Sequence, residues 1–166
     1  MMPEVTLIKV GMADLNVADG GAVLKTTGLG SCVGLTLFDP DLRIGGMAHI
    51  MLPSSDIARG EGQLNIAKYA DTAVPELVRR LASRGAAIHR LVAKMAGGAQ
   101  MFAFMGGTDT MRIGPRNVEA TKQVLDRFSI RIVAEDTGGS YGRTVELYSH
   151  SGVFLIRSVQ HGVKEI

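Results

Sequence analysis

The chain has 166 residues, of which 46% are apolar and 20% charged, with a formal net charge of +2. This balance predicts one soluble domain over residues 1–166 with a substantial core. The small net charge, scattered basic residues and few aromatics argue against nucleic-acid binding. No run approaches the ~20 apolar residues of a membrane helix, so no membrane insertion is expected. Residues 1–5 lack the basic and apolar regions of a secretion signal, and one cysteine cannot form an internal disulfide; a cytoplasmic protein is expected.

In chain order, Val5–Val10 predicts a strand, and residues 11–25 a polar loop interrupted by Val23 and Leu24. Cys32–Phe38 and Ile44–Leu52 predict two strands separated by Asp39-Pro40-Asp41-Leu42, which is strong turn chemistry. Residues 53–64, with Pro, Ser and Gly, predict a surface loop. From Asn65 to Arg84 the period becomes helical, with Ile66, Tyr69, Ala70, Ala73, Val74, Leu77, Val78 and Leu81 on one stripe. Pro75 interrupts it: either the helix kinks there, or Thr72 caps a second helix with Pro75 in its first turn. Gly85 reads as the C-terminal cap.

Ile88–Ala96 predicts a strand ending at Gly97-Gly98, and residues 115–128 a helix presenting Val118, Thr121, Val124, Leu125 and Phe128. Ile130–Glu135 follows as a strand, Gly138–Gly142 as a glycine loop, and Arg143–Tyr148 with Val153–Val159 as a final hairpin. Roughly seven strands and two main helices give an α/β class: a mixed, largely antiparallel sheet packed with two main helices in a layered sandwich.

The 21 glycines are nearly twice an average share of about 7%. They serve either as tight turns or as loops converging on a site. The loop Gly28-Leu29-Gly30-Ser31 leads into Cys32, the only cysteine, and His49 lies on the next strand. A hairpin symmetric about the Pro40–Asp41 bond would set Cys32 opposite His49, with Cβ atoms ~4.5–5.5 Å apart. A register shift of two keeps them on one face, whereas a one-residue bulge separates them. A neighbouring imidazolium would hold the thiol below its usual ~8.5, and the imidazole can protonate a leaving amine. Thr26 or Thr27 could orient the imidazole, and N–H groups of the Gly28–Ser31 loop could face an oxyanion. His89, His150 and His161 read as surface or loop residues. One cysteine and four scattered histidines give no support for a zinc site, and the loop lacks the lysine of a phosphate-binding loop, so no metal and no cofactor is expected.

The run Thr26-Thr27-Gly28-Leu29-Gly30-Ser31-Cys32-Val33, followed by Ala48-His49-Ile50-Met51-Leu52-Pro53, resembles the chemoreceptor glutamine deamidases, the CheD family. The similarity continues through Lys68-Tyr69-Ala70-Asp71, the segment from Lys94 to Phe102, Ile113-Gly114-Pro115-Arg116-Asn117, Glu135-Asp136-Thr137-Gly138-Gly139 and Gly142-Arg143. The resemblance implies a Cys-His-Thr triad at Cys32, His49 and Thr26. It also implies hydrolysis of receptor glutamines to glutamate and ammonia through a thioester. The implied substrates are methyl-accepting chemotaxis receptors, and the implied partner is CheC, a phosphatase of the response regulator CheY. A methylesterase activity, or a mainly non-catalytic adaptor role toward the phosphatase, is the alternative.

Reaching a glutamine on a receptor helix needs an exposed Cys32 beside a groove that fits the helix. Gly30, Ser31, Met101 and Phe102 are its expected contacts. Phe104, Met105 and Met111 would extend an adaptable apolar surface, or fill the core. The loops at 97–98, 106–107 and 138–142 could shape the walls. Arg116 and Arg143 are either structural ion-pair partners or substrate contacts.

Overall fold

The computed structural model describes residues 5–58, 62–101 and 112–166. Its strands are β1 (Leu7–Lys9), β2 (Leu15–Ala18), β3 (Val23–Leu29), β4 (Val33–Asp39), β5 (Ile44–Ile50), β6 (Val92–Gly97), β7 (Arg131–Thr137), β8 (Arg143–Tyr148), β9 (Phe154–Ser158) and β10 (Gly162–Glu165). Its α-helices are α1 (Ala70–Ser83) and α2 (Ile113–Arg127). The strands form two five-stranded sheets, ordered β1-β3-β8-β9-β10 and β2-β5-β4-β6-β7. Among the described strands, only β1–β3 and β6–β7 pair in parallel, so the expected α/β class with largely antiparallel pairing holds, in two sheets rather than one.

The second sheet is the middle layer. Val33, Leu35 and Leu37 of β4 join Ala48 and Ile50 of β5 in a core with Val74, Leu77 and Leu81 of α1. On its other face, Cys32 and Met47 pack with Leu29, Val145, Leu147 and Phe154 of the first sheet. Period-two alternation thus gives β4 and β5 one helix-facing and one sheet-facing set, both buried. Such strands read as continuous apolar runs. Close approach is built in at Gly46, where a Cβ would lie 2.6 Å from Leu77 Cδ1.

Several elements depart from expectation. Residues 11–25 contain β2 and the start of β3, whose short apolar runs are too brief to show a period. The helix at 65–84 begins at Ala70 after a 3₁₀ turn, Ile66–Lys68, capped by Asn65. It runs through Pro75 as one element, so Thr72 does not cap a second helix. Residues 88–90 form a 3₁₀ turn before β6, and β10 follows the final hairpin unannounced.

The β4–β5 register also differs. Phe38 pairs with Gly45 and Gly34 with His49, a shift of two from the expected pairing. The loop is centred one bond later: the Asp39 carboxylate accepts from the Asp41 and Leu42 N–H groups, Arg43 N–H donates to the Asp39 carbonyl, and Arg43 takes φ 55°. Cys32 and His49 are therefore diagonal neighbours on one face, not directly opposed.

Candidate active site

His49 sits in the middle layer with its ring turned toward the first sheet, and it is fully buried. Its strand partner is Gly34, where a Cβ would press within 2.9 Å of Leu29. The missing side chain leaves room for the imidazole and for Leu29 to pack between the sheets.

Thr26 comes from that first sheet. The β3–β8 pairing shifts register between Thr26 and Leu29, with Gly28 at φ 74°. This bulge inserts one residue, so Thr26 and Leu29 both face inward while Thr27 is exposed. Thr26 Oγ1 and His49 Nδ1 are 2.7 Å apart in a buried hydrogen bond. Of the two adjacent threonines, only Thr26 reaches the ring. The other ring nitrogen, Nε2, is buried without a hydrogen-bond partner among the described residues.

Cys32, at the end of the glycine loop just before β4, is buried at 8% exposure rather than exposed as expected, because Leu29, Val145 and Phe154 of the first sheet pack over this face of the middle layer. Its carbonyl accepts from Gly98 N–H at 2.9 Å. Gly97, at φ 102°, allows this approach, since a Cβ there would lie 2.2 Å from Cys32 O. Gly30 N–H is taken by Gly28 O and its carbonyl by Ala99 N–H, so Gly30 offers no free amide. Among the described residues, neither Ser31 N–H nor Cys32 N–H donates to a backbone carbonyl outside the strands.

The protonation states correct one expectation. Burial pushes the Cys32 thiol up, not down. Burial also pushes the His49 imidazole down, against a smaller upward pull from Asp14. Both effects disfavour the charged forms of the two groups. The expected thiolate–imidazolium pair would require two charges in a closed, apolar layer.

Of the expected contacts, Gly30 and Met101 meet: a Cβ on Gly30 would touch Met101 Cγ at 3.1 Å, and the Met101 side chain is exposed. Ser31 is half-buried beside them. Phe102, Phe104, Met105, Met111 and the 106–107 glycines lie outside the described residues. A groove of about 740 Å³ runs from Gly28 and Met101 past Tyr141 and Gly142 to Arg157 and Val159. A second groove, of about 840 Å³, lies between α2 and β7 but contains no nucleophile–base pair. Arg143 is structural: its side chain is 1% exposed, pairs with Asp136 at 3.4 Å and donates to Gly138 O. Arg116 is exposed in a shallow groove with Asp56 and Asp71. His89, His150 and His161 are exposed. Among the described residues, no three His, Cys, Asp or Glu side chains cluster as a metal site.

One buried residue has no counterpart in the sequence-based expectations. Asn117 of α2 is fully buried, and its Nδ2 donates to both Ser31 O and Met51 O at 2.9 Å. An Asn between Arg116 and Val118 in a predicted helix gives no sign of this. Its place in the motif Ile113–Asn117 is the one signal the sequence carries.

The thiol of Cys32 just before β4, the buried imidazole of His49 on β5 and the hydroxyl of Thr26 on β3 thus lie in the layer between the two sheets. The family model described as CheD chemotactic sensory transduction matches residues 51–158. The chain is 52% identical over 160 residues to the probable chemoreceptor glutamine deamidase CheD of Lachnoclostridium phytofermentans, covering 96% of this chain and 98% of that one. It is equally similar to the chemoreceptor glutamine deamidase CheD of Halalkalibacterium halodurans, 52% identical with the same coverage. The chemoreceptor glutamine deamidase CheD of Bacillus subtilis is 47% identical over 163 residues, 98% of each chain. The chain belongs to the CheD family. The described helices include none long and apolar enough to cross a membrane.

Proposed function

We propose that this protein is a protein-glutamine deamidase acting on methyl-accepting chemotaxis receptors, with Cys32 as nucleophile, His49 as base and acid, and Thr26 as the group that orients His49. The observation that carries the reading is the Thr26–His49 hydrogen bond at Nδ1, which leaves Nε2 free on the face that Cys32 shares. Family membership supports the substrate class, because the relatives named as chemoreceptor glutamine deamidases align with nearly all of the chain.

The chemistry follows from neutral partners. With the Nδ1 proton donated to Thr26 Oγ1, Nε2 presents a lone pair. As the receptor glutamine enters, Cys32 rotates its thiol to Nε2 and sulfur attacks the carboxamide carbon. The thiol proton passes to Nε2, so charge appears only as the bond forms. Apo sites often lack this tight contact and gain it with substrate. The oxyanion is met by the Cys32 N–H, with Ser31 N–H beside it. Imidazolium then protonates the leaving nitrogen, ammonia departs and a thioester remains. Water, losing a proton to Nε2, attacks the thioester; collapse returns that proton to sulfur and leaves glutamate.

The groove from Gly28 and Met101 to Val159 starts on the glycine loop that leads into Cys32, and it is the surface assigned here to an extended helical partner. Binding of the CheC phosphatase belongs to the same proposal and rests on the family resemblance; co-purification of the two full-length proteins tests it. For the activity itself, a receptor cytoplasmic fragment incubated with the protein should gain the mass of amide-to-acid conversion at specific glutamines, and ammonia should be released. Methanol release from a methylated receptor without ammonia from glutamine would favour the esterase alternative. Deamidation that survives Cys32→Ala would overturn the nucleophile.

A further inference from the structure

We propose that Asn117 is a positioning residue for the oxyanion step, holding the Ser31–Cys32 peptide plane so that Cys32 N–H faces the reacting carbonyl. This role rests on Cys32 being the nucleophile and adds a residue that the triad does not include.

A trans peptide is planar, with its C=O and N–H pointing in opposite directions. Fixing the Ser31 carbonyl therefore fixes the direction of the Cys32 N–H. Asn117 Nδ2 holds that carbonyl at 2.9 Å. Its second proton goes to the Met51 carbonyl, also at 2.9 Å, two residues beyond His49. One buried amide thus ties the entry of β4 to the exit of β5, the two chain ends that carry the thiol and the imidazole. The peptide after Cys32 is fixed separately, by Gly98 N–H on Cys32 O. Both peptide planes flanking the nucleophile are pinned, while Cys32 N–H has no backbone acceptor outside the strands among the described residues.

The helix that carries Asn117 is seated for this task. A Cβ at Gly98 would lie 2.2 Å from Val118 Cγ2, and one at Gly114 would lie 2.1 Å from Ala99 O. Two glycines thus bring the first turns of α2 into direct contact with the segment after β6. The arrangement is costly: Asn117 Oδ1 is buried with no hydrogen-bond partner among the described residues. An apolar side chain would fill the volume without that penalty. Without the amide, the Ser31 carbonyl loses its donor and the plane is free to rotate. A flipped plane aims a carbonyl, instead of an N–H, at the oxyanion.

The test uses two reactions of the same thiol in the full-length chain. Deamidation of a receptor fragment needs oxyanion stabilisation; alkylation by iodoacetamide displaces iodide from a methylene carbon and does not. In Asn117→Ala, kcat for deamidation should fall about 10²-fold, the scale of one oxyanion donor, with KM changed less than about threefold. The alkylation rate should stay within about threefold of wild type, because thiol and base are untouched. Thr121→Val is the stability control: it removes the Thr121 Oγ1 donation to Asn117 O within α2 and leaves both Asn117 Nδ2 bonds in place. It should keep kcat at a comparable loss of thermal stability. Should Asn117→Ala not fold, Asn117→Ser is read in the same way, with a loss of about tenfold. Parallel loss of deamidation and alkylation, or an equal kcat loss in Thr121→Val, overturns the inference. If Cys32→Ala remains active, the nucleophile reading fails; if Cys32→Ala is inactive but Asn117→Ala is not, only the positioning role fails.

Discussion

The β4–β5 hairpin buries polar groups at both ends, and the two ends treat them in opposite ways. At the turn, Asp39 is fully buried and its carboxylate is saturated. It accepts from the N–H groups of Asp41, Leu42 and Ala87 and from the Arg90 guanidinium at 2.9 Å. Burial alone would raise its pKa, but the Arg90 and backbone bonds outweigh that and hold it at about 2. At the other end, His49 Nε2 and Asn117 Oδ1 are buried without partners among the described residues, the thiol is pushed up and the imidazole pushed down. One end is complete in itself and fixes the fold. The other keeps unfilled hydrogen-bonding capacity that a substrate could use.

The strongest way to break the contrast is at the open end. Cys32→Ala or His49→Ala should lower the deamidation rate by roughly 10³-fold or more, while Cys32→Ala retains the wild-type circular dichroism spectrum. At the closed end the loss should be in stability: Asp39→Ala should cost about 3–5 kcal/mol in urea unfolding, because Arg90 and three N–H groups lose their acceptor. The sign in pH is fixed as well. A depressed carboxylate stabilises above its unfolded pKa near 4, and that contribution is lost as pH falls toward about 2. Asp39→Asn should therefore flatten the acid limb of the stability curve.

A finer test separates the two adjacent threonines. Thr26→Val should reduce kcat by about 10²-fold with little change in KM, whereas Thr27→Val, at an exposed position, should change stability by no more than about 0.5 kcal/mol. The smallest effect lies in the titration of the open end. The unfolded chain binds a proton at His49 below its ordinary 6.5, and the folded chain resists it, so His49 lowers stability as pH falls through that range. Cys32 acts in the opposite window: the folded state resists the thiolate, so stability drops as pH rises past 9.0. His49→Gln should narrow the acid-side loss, and Cys32→Ala the alkaline one, both measurable by thermal melts across pH.

Much of the closed end is legible in the sequence. Asp39-Pro40-Asp41-Leu42 announces a turn, and the two apolar runs around it announce paired strands. Strand alternation alone keeps Cys32 and His49 on one face at any even register shift. The shift of two itself is not legible, because it depends on the Asp39 carboxylate capping the loop and on Arg43 adopting a left-handed conformation. Nor is β2, whose four residues are too few for a period to emerge.

The sequence by itself determined that a lone thiol on a glycine loop and a histidine on the next strand share a face, since that follows from a local, two-residue periodicity and a strong turn. It also carried the family motifs. The family resemblance pointed to Thr26, and the tertiary structure supplied the reason that it, and not Thr27, meets His49: a bulge in a strand of the other sheet sets which threonine points inward. The tertiary structure alone decided that burial pushes the thiol up and the imidazole down, since desolvation is a property of the packed layers. And it alone brought Asn117, 85 residues from Cys32 along the chain, onto the peptide that precedes the thiol.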